Sequence, residues 1–451
     1  MNSEPLLIWG IAIALISVTV VPYYLSFRRR HRKAVQRRRE AEAMGLGKPR
    51  AQYPLVNPLL CIGCGACVTA CPEGDVLAVI HGTAVVINGE RCVGHGLCET
   101  ACPVGALKVG LGDVRTREDI PIMGEAQESS VPGLFIAGEL SGQSLIRNAI
   151  TQGRVVVEAI ARRRDEIRGE FDQDVIIVGA GPAGLSAALT AIEHKLSHVV
   201  LEEREVGGTI LHYPHRKLVM TQPVEIPLYG WLKHDEYSKE ALLDIWHEIV
   251  SKFPVCVQPG QRVESISHGD DGFTVLTNQG QWRAPFVVLA LGRRGTPRKL
   301  GVPGEEMEKV MYQLTDACSY THTDLLVVGG GDSAIEAAVG LAKQDGNRVT
   351  ISYRKKGFFR VKKKNEDKIT AMIESGAITP LFESEVKEIR ESSVVLTTPQ
   401  GACEIANRYV FVFAGGIPPF PLLKDAGVRF GGDPKQGTPP PRPVETVPAH
   451  L

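Results

Sequence analysis

The sequence predicts an α/β protein with two Rossmann-like dinucleotide-binding domains, a smaller α+β metal-binding domain and one N-terminal transmembrane helix. Three observations support this prediction: two glycine-rich loops that each follow an apolar strand, two cysteine motifs at a constant spacing, and one uncharged apolar run near the N-terminus. A chain of 451 residues has room for about three domains.

The uncharged run is "LLIWGIAIALISVTVVPYYL", residues 6–25. Its length suffices to cross a bilayer, and aromatic residues near both of its ends are typical of the lipid–water interfaces. A cleaved signal peptide would carry positive charge ahead of the run, where this chain has Glu4. We therefore predict a transmembrane helix over residues 1–26 and disfavour a buried core helix.

Positive charge is concentrated directly after this run. Residues 28–50 contain ten Lys and Arg and two Glu, whereas residues 51–451 contain 41 Lys and Arg against 48 Asp and Glu. A short basic segment beside an apolar run is typical of a membrane surface and not of a nucleic-acid site. The positive-inside rule predicts a single-pass inner-membrane protein with its N-terminus outside, a basic juxtamembrane segment over 27–56 and a cytoplasmic catalytic body.

Seven of the ten cysteines fall in one stretch of the chain. "CIGCGACVTACP" and "CVGHGLCETACP" repeat one pattern at an offset of 31 residues, with His95 at the second cysteine position of the repeat. Clustered cysteines in a reducing compartment favour metal over disulfides. The spacing resembles that of bacterial two-cluster ferredoxins over residues 57–110, and it differs from zinc-ribbon spacing.

The ferredoxin resemblance implies that the last cysteine of each motif ligates the cluster of the other motif. One [4Fe-4S] cluster would then take Cys61, Cys64, Cys67 and Cys102. The second site would take Cys71, Cys92, Cys98 and, in place of a cysteine, His95. Three interpretations of His95 stay open: a ligand of a second [4Fe-4S] cluster, a neighbour of a [3Fe-4S] cluster, or an ordinary loop residue.

The first glycine loop is "VIIVGAGPAGLSAALTA". A strand, a tight turn and a small-residue helix stand in the order that binds the pyrophosphate of a dinucleotide. An acidic residue follows about twenty residues on, where the ribose hydroxyls are expected. The predicted binding residues are Gly179, Gly181, Pro182, Ala183, Gly184 and Glu202.

The second glycine loop, "TDLLVVGGGDSAIEAAVGLA", matches G-x-G-x-x-A after an apolar strand. Its following strand, "RVTISYRKK", ends in basic residues and not in an acid. Basic side chains there suit the 2′-phosphate of NADPH, which is favoured over NADH, while a solvated basic turn is the alternative. The predicted binding residues are Gly329, Gly331, Asp332, Ser333, Ala334, Arg354, Lys355 and Arg360.

The order of "VGAGPAGL", "VGGT", "VVLALGRRGTP", "VVGGGDSAIEAA" and "YVFVFAGGIPP" resembles the thioredoxin-reductase-like flavoproteins over most of residues 111–420. The resemblance implies an FAD domain over 171–303 and an NAD(P)H domain over 304–418, joined by two crossover segments. It also implies that Gly208 and Thr209 lie near the flavin.

The family's last block, which contacts the flavin, is missing after Pro419, where a Pro- and Gly-rich tail is predicted over 419–451. A matching block, "VPGLFIAGELSG" with a helix after it, stands ahead of the first glycine loop. We therefore predict a permuted FAD-domain segment over 111–170, with Gly138 and Glu139 beside the flavin. The N-terminus of the following helix would favour an anionic reduced flavin.

Cys318 stands alone where thioredoxin reductases carry a C-x-x-C dithiol. The chain resembles the dithiol-less relatives instead, namely ferredoxin–NADP reductases of the thioredoxin-reductase type and bacillithiol disulfide reductases. His212, His215 and Lys217 are expected either near the flavin or substrate, or on an exposed polar loop.

These features predict a membrane-anchored oxidoreductase that passes electrons between NADPH, FAD and its fused iron–sulfur clusters. The redox partner is an unidentified protein or a quinone. Two other functions stay open: a low-molecular-weight disulfide reductase, and an anchored electron-transfer subunit of a larger complex. A homodimer is a further open alternative, and no nucleic-acid partner is expected.

Overall fold

The computed structural model describes residues 3–43, 52–111, 118–143, 145–166, 169–215, 217–269, 271–358 and 361–431. For residues 3–8, 10–12, 111 and 220 it describes the backbone alone. The chain forms two compact units, Met1–Gly110 and Leu111–Leu451, and each is described by itself.

The N-terminal unit combines one long helix with a small domain of short strands and helices. Its elements are α1 (Ser3–Ala43), β1 (Gln52–Val56), α2 (Ala66–Ala70), β2 (Leu77–Ile80), β3 (Thr83–Val86), α3 (Leu97–Thr100) and β4 (Leu107–Leu111). β1 pairs with β4, and β2 forms an antiparallel hairpin with β3. Cys67 and Cys98 are buried in the core of this domain, beside Leu77 and Leu107.

Helix α1 corrects two predicted boundaries. It continues without a break past Pro22 to Ala43, so no element ends at residue 26. The basic juxtamembrane segment predicted over 27–56 is not separate from the small domain, because Ala34 and Val35 within it pack on Ile80 and its buried neighbours. β1 begins the small domain at residue 52 instead of 57. Within the described residues, no helix reaches the length and hydropathy of a membrane span.

The first half of the second unit is built around a five-stranded parallel sheet in the order β12-β7-β6-β16-β5. Its larger elements are β5 (Leu134–Ile136), α4 (Ile146–Arg162), β6 (Val175–Val178), α5 (Pro182–Glu193) and β7 (His198–Glu202). Two small hairpins and a helix follow as β8 (Leu218–Met220), β9 (Val224–Ile226), β10 (Gly230–Leu232), β11 (Glu236–Ser238) and α6 (Lys239–Lys252). The remaining strands are β12 (Val257–Pro259), β13 (Val263–Gly269), β14 (Gly272–Thr277), β15 (Gly280–Ala284) and β16 (Phe286–Leu289).

The block ahead of the first glycine loop belongs to this sheet. β5 pairs in parallel with β16, with Leu134 opposite Val287 and Ile136 opposite Leu289. α4 packs on α5, where the Ser186 hydroxyl donates to the carbonyl oxygen of Ile150 at 2.7 Å. The predicted permutation is therefore confirmed, since a strand from before the domain completes the domain's own sheet.

The second half of the unit repeats the plan in another five-stranded parallel sheet, ordered β18-β25-β19-β20-β21. Its elements are β17 (Thr296–Pro297), β18 (Val310–Met311), β19 (Asp324–Val328), α7 (Asp332–Ala342), β20 (Arg348–Tyr353), α8 (Lys363–Glu374) and β21 (Ile378–Phe382). An antiparallel sheet and the return follow as β22 (Glu385–Ile389), β23 (Ser393–Thr398), β24 (Gly401–Ala406), β25 (Tyr409–Val412), β26 (Gly416–Ile417) and α9 (Phe420–Asp425). β17 and β26 are the two crossovers, and they pair with each other.

Part of the predicted tail segment is folded, and residues 432–451 lie outside the described residues. Residues 420–431 form α9 and a final bridge from Phe430 to Pro121, and Leu423, Val428 and Phe430 are buried in the core of the first sheet's domain. Pro421, Gly427 and Gly431 interrupt the apolar residues of this segment, so its buried pattern was not recognised in the sequence. The tail prediction over 419–451 was therefore wrong for residues 420–431.

Candidate functional site

Four cysteine thiols surround one hollow in the N-terminal unit. They are those of Cys61, Cys64, Cys67 and Cys102. The backbone N–H of Ala84 donates to Sγ of Cys61 at 3.4 Å, and that of Ala106 donates to Sγ of Cys102 at 3.2 Å. Such donors stabilise the ligand sulfurs of an iron–sulfur cluster. The structure thus brings together the four residues that the ferredoxin resemblance assigns to one cluster.

A second hollow is lined by three thiols and one imidazole. They are those of Cys71, Cys92, Cys98 and His95. The His95 side chain is only 6% exposed, and its Nε2 lies 3.7 Å from Oε1 of Glu73, a side chain that is 7% exposed. A carboxylate beside a ligating histidine is a common way to orient the ring. The structure thus places His95 in one hollow with the three thiols that the sequence analysis assigned to the second site.

Burial affects the ionisation of the thiols in the second hollow. Burial raises the pKa of Cys92 to about 11 and that of Cys98 to about 12, and the Cys71 thiol adds to both shifts. Because buried thiolates are unfavourable without a cation, these thiols would ionise more readily with a metal bound in the hollow.

The first glycine loop has the shape that a dinucleotide requires. Gly179 has a φ of +108°, and a Cβ there would lie 2.6 Å from the carbonyl oxygen of Ala290. A Cβ on Gly184 would lie 1.8 Å from the carbonyl oxygen of Gly179. Gly181, the N-cap of α5, has open space instead, with Gly208 Cα at 3.8 Å from such a Cβ. The open N-terminus of α5 therefore fits a pyrophosphate.

Glu202 stands at the end of β7 and faces this loop. Its carboxylate accepts hydrogen bonds from the backbone N–H of Ala180 at 2.7 Å and of Arg204 at 2.9 Å. Gly208 and Thr209 also lie beside the loop, because a Cβ on Gly208 would be 3.0 Å from the Cα of the loop's second glycine. The structure thus brings together the residues predicted to hold the FAD nucleotide.

The permuted block reaches the same place. A Cβ on Gly138 would lie 3.3 Å from Cβ of Ala183, at the start of α5. The buried Gln152 side chain holds the block in position: its Oε1 accepts from the Gly138 N–H at 2.7 Å, and its Nε2 donates to the Ser141 hydroxyl at 3.0 Å. Glu139, next in the chain, is exposed. The segment predicted to contact the flavin therefore lies at the first glycine loop.

Arg294, in the first crossover, is a site residue that the sequence analysis missed. Its Nη1 is buried and has no hydrogen-bond partner within the described part of the chain. Burial lowers the pKa of its guanidinium, and the neighbouring Arg204 lowers it further. A buried donor of this kind needs an acceptor, which the phosphate or ring oxygens of FAD would supply. The residues present therefore fit FAD.

The loop with His212 and Lys217 connects the two dinucleotide domains. The Nδ1 of His212 lies 3.1 Å from Oε1 of Gln313, and the Lys217 ammonium lies 2.7 Å from the Glu336 carboxylate on α7. Burial lowers the pKa of His212, whereas His215 is exposed. This loop is thus a domain contact and not the freely exposed polar loop of the alternative expectation.

The second glycine loop repeats the geometry of the first. Gly329 has a φ of +140°, and a Cβ there would lie 2.5 Å from the carbonyl oxygen of Phe413. At Gly331, the N-cap of α7, a Cβ would meet no described atom within 4 Å. Ser333 is exposed on the first turn and Ala334 is fully buried beneath it. The N-terminus of α7 is therefore open to a phosphate group.

Asp332 is hydrogen-bonded within the NAD(P)H domain. Its Oδ1 accepts hydrogen bonds from the backbone N–H of Lys362 at 3.0 Å and from Nδ2 of Asn365 at 2.7 Å. These bonds tie the chain after the basic turn to the start of α7. The side chain therefore positions the chain that follows the basic turn, and its predicted role in nucleotide binding stays a prediction.

The basic residues predicted to select NADPH lie at the end of β20. Arg354 is exposed and Lys355 is half-buried, while Arg360 lies outside the described residues. The ring of Tyr353 covers Gly330, since a Cβ there would be 2.4 Å from that ring. The turn thus presents Arg354 beside the open glycine loop, where a 2′-phosphate would be bound.

The remaining cysteines lie apart from each other in the fold. Cys256 precedes β12, Cys318 lies in the turn before β19, and Cys403 lies within β24. Each is a free thiol.

Comparison with known proteins gives two family matches. A model described as pyridine nucleotide-disulphide oxidoreductase matches residues 176–439, and a 4Fe-4S dicluster domain matches residues 53–103. The bacilliredoxin reductase Bdr of Bacillus subtilis is 27% identical over 266 residues, which are 58% of this chain and 82% of that protein. A ferredoxin–NADP reductase of Ignicoccus hospitalis is 27% identical over 263 residues, 58% of this chain and 83% of that protein.

Solved structures agree with these matches. The bacillithiol disulfide reductase Bdr (YpdA) from Bacillus cereus superposes with a TM-score of 0.54 at 29% identity, covering 61% of this chain and 85% of that one. The enzyme of the same name from Staphylococcus aureus gives a TM-score of 0.52 at 26% identity, covering 57% of this chain and 80% of that one. The first family model spans more than half of the chain. The protein thus belongs to the pyridine nucleotide-disulphide oxidoreductase family, as an FAD-dependent enzyme with a fused 4Fe-4S domain.

Proposed function

We propose that this protein carries electrons between NADPH, FAD and two fused iron–sulfur clusters, and exchanges them with a protein or quinone partner at the cytoplasmic face of a membrane. One observation carries the proposal: two thiol-lined hollows belong to the same chain as two open glycine loops. FAD, when bound, accepts the two electrons of a hydride and releases them singly, which is the exchange that links NADPH to iron–sulfur clusters.

The protein's own residues would position these groups. The N-termini of α5 and α7 would hold the two pyrophosphates, and Glu202 orders the first loop by accepting from two backbone N–H groups. Gln152 holds the permuted block against the start of α5. Arg354 supports NADPH over NADH, because an exposed guanidinium beside the second loop can pair with a 2′-phosphate.

A second cluster is part of the proposal. His95 lines the second hollow with three thiols, and its burial beside Glu73 supports a role as the fourth ligand. Imidazole ligation raises the potential of a cluster relative to an all-cysteine site. We expect His95→Ala to change the EPR spectrum of one of the two clusters. A spectrum identical to that of the parent protein would contradict a ligand role.

Membrane anchoring by α1 is the remaining part. Residues 6–25 have no charge, and the Ile13, Leu15 and Val18 side chains on α1 are 60%, 62% and 72% exposed. Exposed apolar side chains in one continuous stretch require an apolar partner, and the Arg and Lys residues that follow suit anionic headgroups. Anchoring would place the N-terminus outside and the catalytic body in the cytoplasm.

An anaerobic titration of the full-length protein with NADPH tests the electron path. We expect the flavin absorbance to bleach first and an EPR signal from reduced clusters to follow in the same sample. Arg354→Glu should slow reduction by NADPH and leave reduction by dithionite unchanged. A fully reduced flavin beside clusters that stay oxidised, but that dithionite readily reduces, would refute the path.

A disulfide reductase is the second candidate. The similarity to bacilliredoxin and bacillithiol disulfide reductases favours it. Stopped-flow mixing with NADPH and a low-molecular-weight disulfide separates the two functions. Rapid thiol release with unchanged cluster spectra would support the reductase, whereas cluster bleaching without thiol release supports electron transfer.

A further inference from the structure

An apolar rim surrounds the first thiol-lined hollow. Leu59, Leu60 and Ile62 stand on the loop that carries Cys61, and they are 93%, 51% and 64% exposed. Val104, which lines the same hollow as Ile62, is 41% exposed. Large exposed apolar side chains at one redox site form a patch that a soluble surface would normally avoid.

The position of this rim along α1 follows from three contacts. The rings of His31 and His81 lie 4.8 Å apart, Val35 packs against Ile80 and its neighbours, and Arg37 pairs with Asp75. From residue 31 to residue 37 of α1, the contacted residues run in the opposite direction, from residue 81 to residue 75. Residue 81 therefore lies toward the apolar end of α1, and residue 75 lies toward its basic end.

The rim loop is attached to the end of this segment that points toward the apolar stretch. A Cβ on Gly63 would be 2.1 Å from the carbonyl oxygen of Gly82, so the loop rests directly on the turn between β2 and β3. His31 lies six residues beyond Leu25, a rise of about 9 Å along a helix. The rim is therefore level with the basic start of the juxtamembrane stretch, where lipid headgroups would lie if residues 6–25 cross the bilayer.

We propose that the rim formed by Leu59, Leu60 and Ile62 inserts into the lipid interface of the membrane that α1 enters. The proposal rests on the anchoring proposed above. Apolar side chains on an anchored domain bury about 5–10 Å into the boundary between headgroups and acyl chains. The first cluster site then lies at the bilayer edge, within reach of apolar redox carriers dissolved in the lipid. The second site, beside Glu73 and Asp75, lies on the far side.

Photolabelling of the full-length holoprotein in phosphatidylglycerol–phosphatidylcholine vesicles tests the insertion. The vesicles contain a phospholipid with a diazirine near the top of its acyl chain, and mass spectrometry locates the label. We expect label within residues 6–25 and also on residues 59–62. Leu97, at the start of α3 in the second motif, is 45% exposed and serves as the internal control without label.

Two variants make the assignment specific. Leu59→Glu with Ile62→Glu should lower the labelling of the rim by about tenfold, because a carboxylate stays in water. Leu97→Glu should leave it unchanged, and the cluster absorbance of each variant is recorded to show that its clusters are still bound. Three results would each overturn the insertion. Residues 6–25 carry label while the rim carries none, Leu97 is labelled as strongly as the rim, or the double substitution leaves the labelling of the rim unchanged. Absence of label from residues 6–25 would overturn the anchoring itself.

Discussion

The contact between α4 and α5 decides whether the permuted block can dock, and Gly153 lies at its centre. A Cβ on Gly153 would be 2.2 Å from the carbonyl oxygen of Ala183 and 3.0 Å from the backbone nitrogen of Ala187. Because both neighbours are backbone atoms of α5, neither can rotate away. Gly153→Ala must therefore push the two helices apart.

Two opposing effects determine the size of this change. Alanine is more favourable than glycine inside a helix by about 1 kcal/mol, whereas overpacking a core costs about 1–3 kcal/mol. Gly340 in α7 allows the two effects to be separated, since a Cβ there meets Cβ of Ala317 at an ordinary 3.5 Å. We expect Gly340→Ala to be neutral or stabilising and Gly153→Ala to be less stable than that variant by about 1–3 kcal/mol.

The release of bound flavin on heating measures this difference, because free flavin is fluorescent. Gly153→Ala should release FAD at a temperature several degrees lower than Gly340→Ala, and its FAD content after purification should also be lower. The start of α5 contacts both the pyrophosphate site and Gly138, so a shift of α4 disturbs both. Equal release temperatures for the two variants would refute the reasoning that the permuted block packs directly on α5.

Three further outcomes follow from single side chains. Glu202→Ala should weaken FAD binding about 10- to 100-fold, since a hydrogen bond to a charged group contributes about 1.5–3 kcal/mol. Titration of the apoprotein with FAD measures the affinity, and an unchanged affinity would contradict the role of Glu202 in the loop. Arg354→Ala should raise KM for NADPH with little change for NADH, and a parallel rise for both would contradict 2′-phosphate recognition. Hydrogen bonds to Glu305 from the Tyr312 hydroxyl and nearby backbone N–H groups outweigh its burial and lower the pKa of its carboxyl. Glu305→Gln should therefore lower the free energy of unfolding near neutral pH. The difference in this free energy from the parent should shrink as pH falls through the lowered pKa, which denaturation at several pH values measures. A difference that does not depend on pH would contradict the lowered pKa of Glu305.

Several features of the site follow from local spacing and could be read from the sequence. The two cysteine motifs carry the resemblance to two-cluster ferredoxins, and that resemblance predicted which thiols would share a hollow. The block at residues 131–142 was recognisable out of order, because its strand and turn have the same local requirements wherever they stand in the chain.

Other features depend on tertiary contacts that composition obscures. Ala34 and Val35 are two apolar residues within a strongly basic stretch, so their packing against the small domain was not predicted. The glycines and prolines around residues 420–431 similarly concealed a buried Phe430. Gln152 and Arg294 stand in or beside blocks that the sequence analysis recognised, but the burial of their polar atoms is set by tertiary packing and could not be read from local sequence.

In the described part of the flavoprotein unit, an early segment pairs with a late one: the N–H of Ile122 donates to the carbonyl oxygen of Arg429 at 2.8 Å. This arrangement affects how the protein is made on the ribosome. β5 is synthesised early, but its neighbour β16 follows about 150 residues later, a delay on the order of ten seconds at ordinary translation rates. During that time the apolar Leu134, Phe135 and Ile136 have no partner strand. The fused iron–sulfur domain precedes them and has all of its own strands by then, so cluster insertion can begin before the flavin sheet exists.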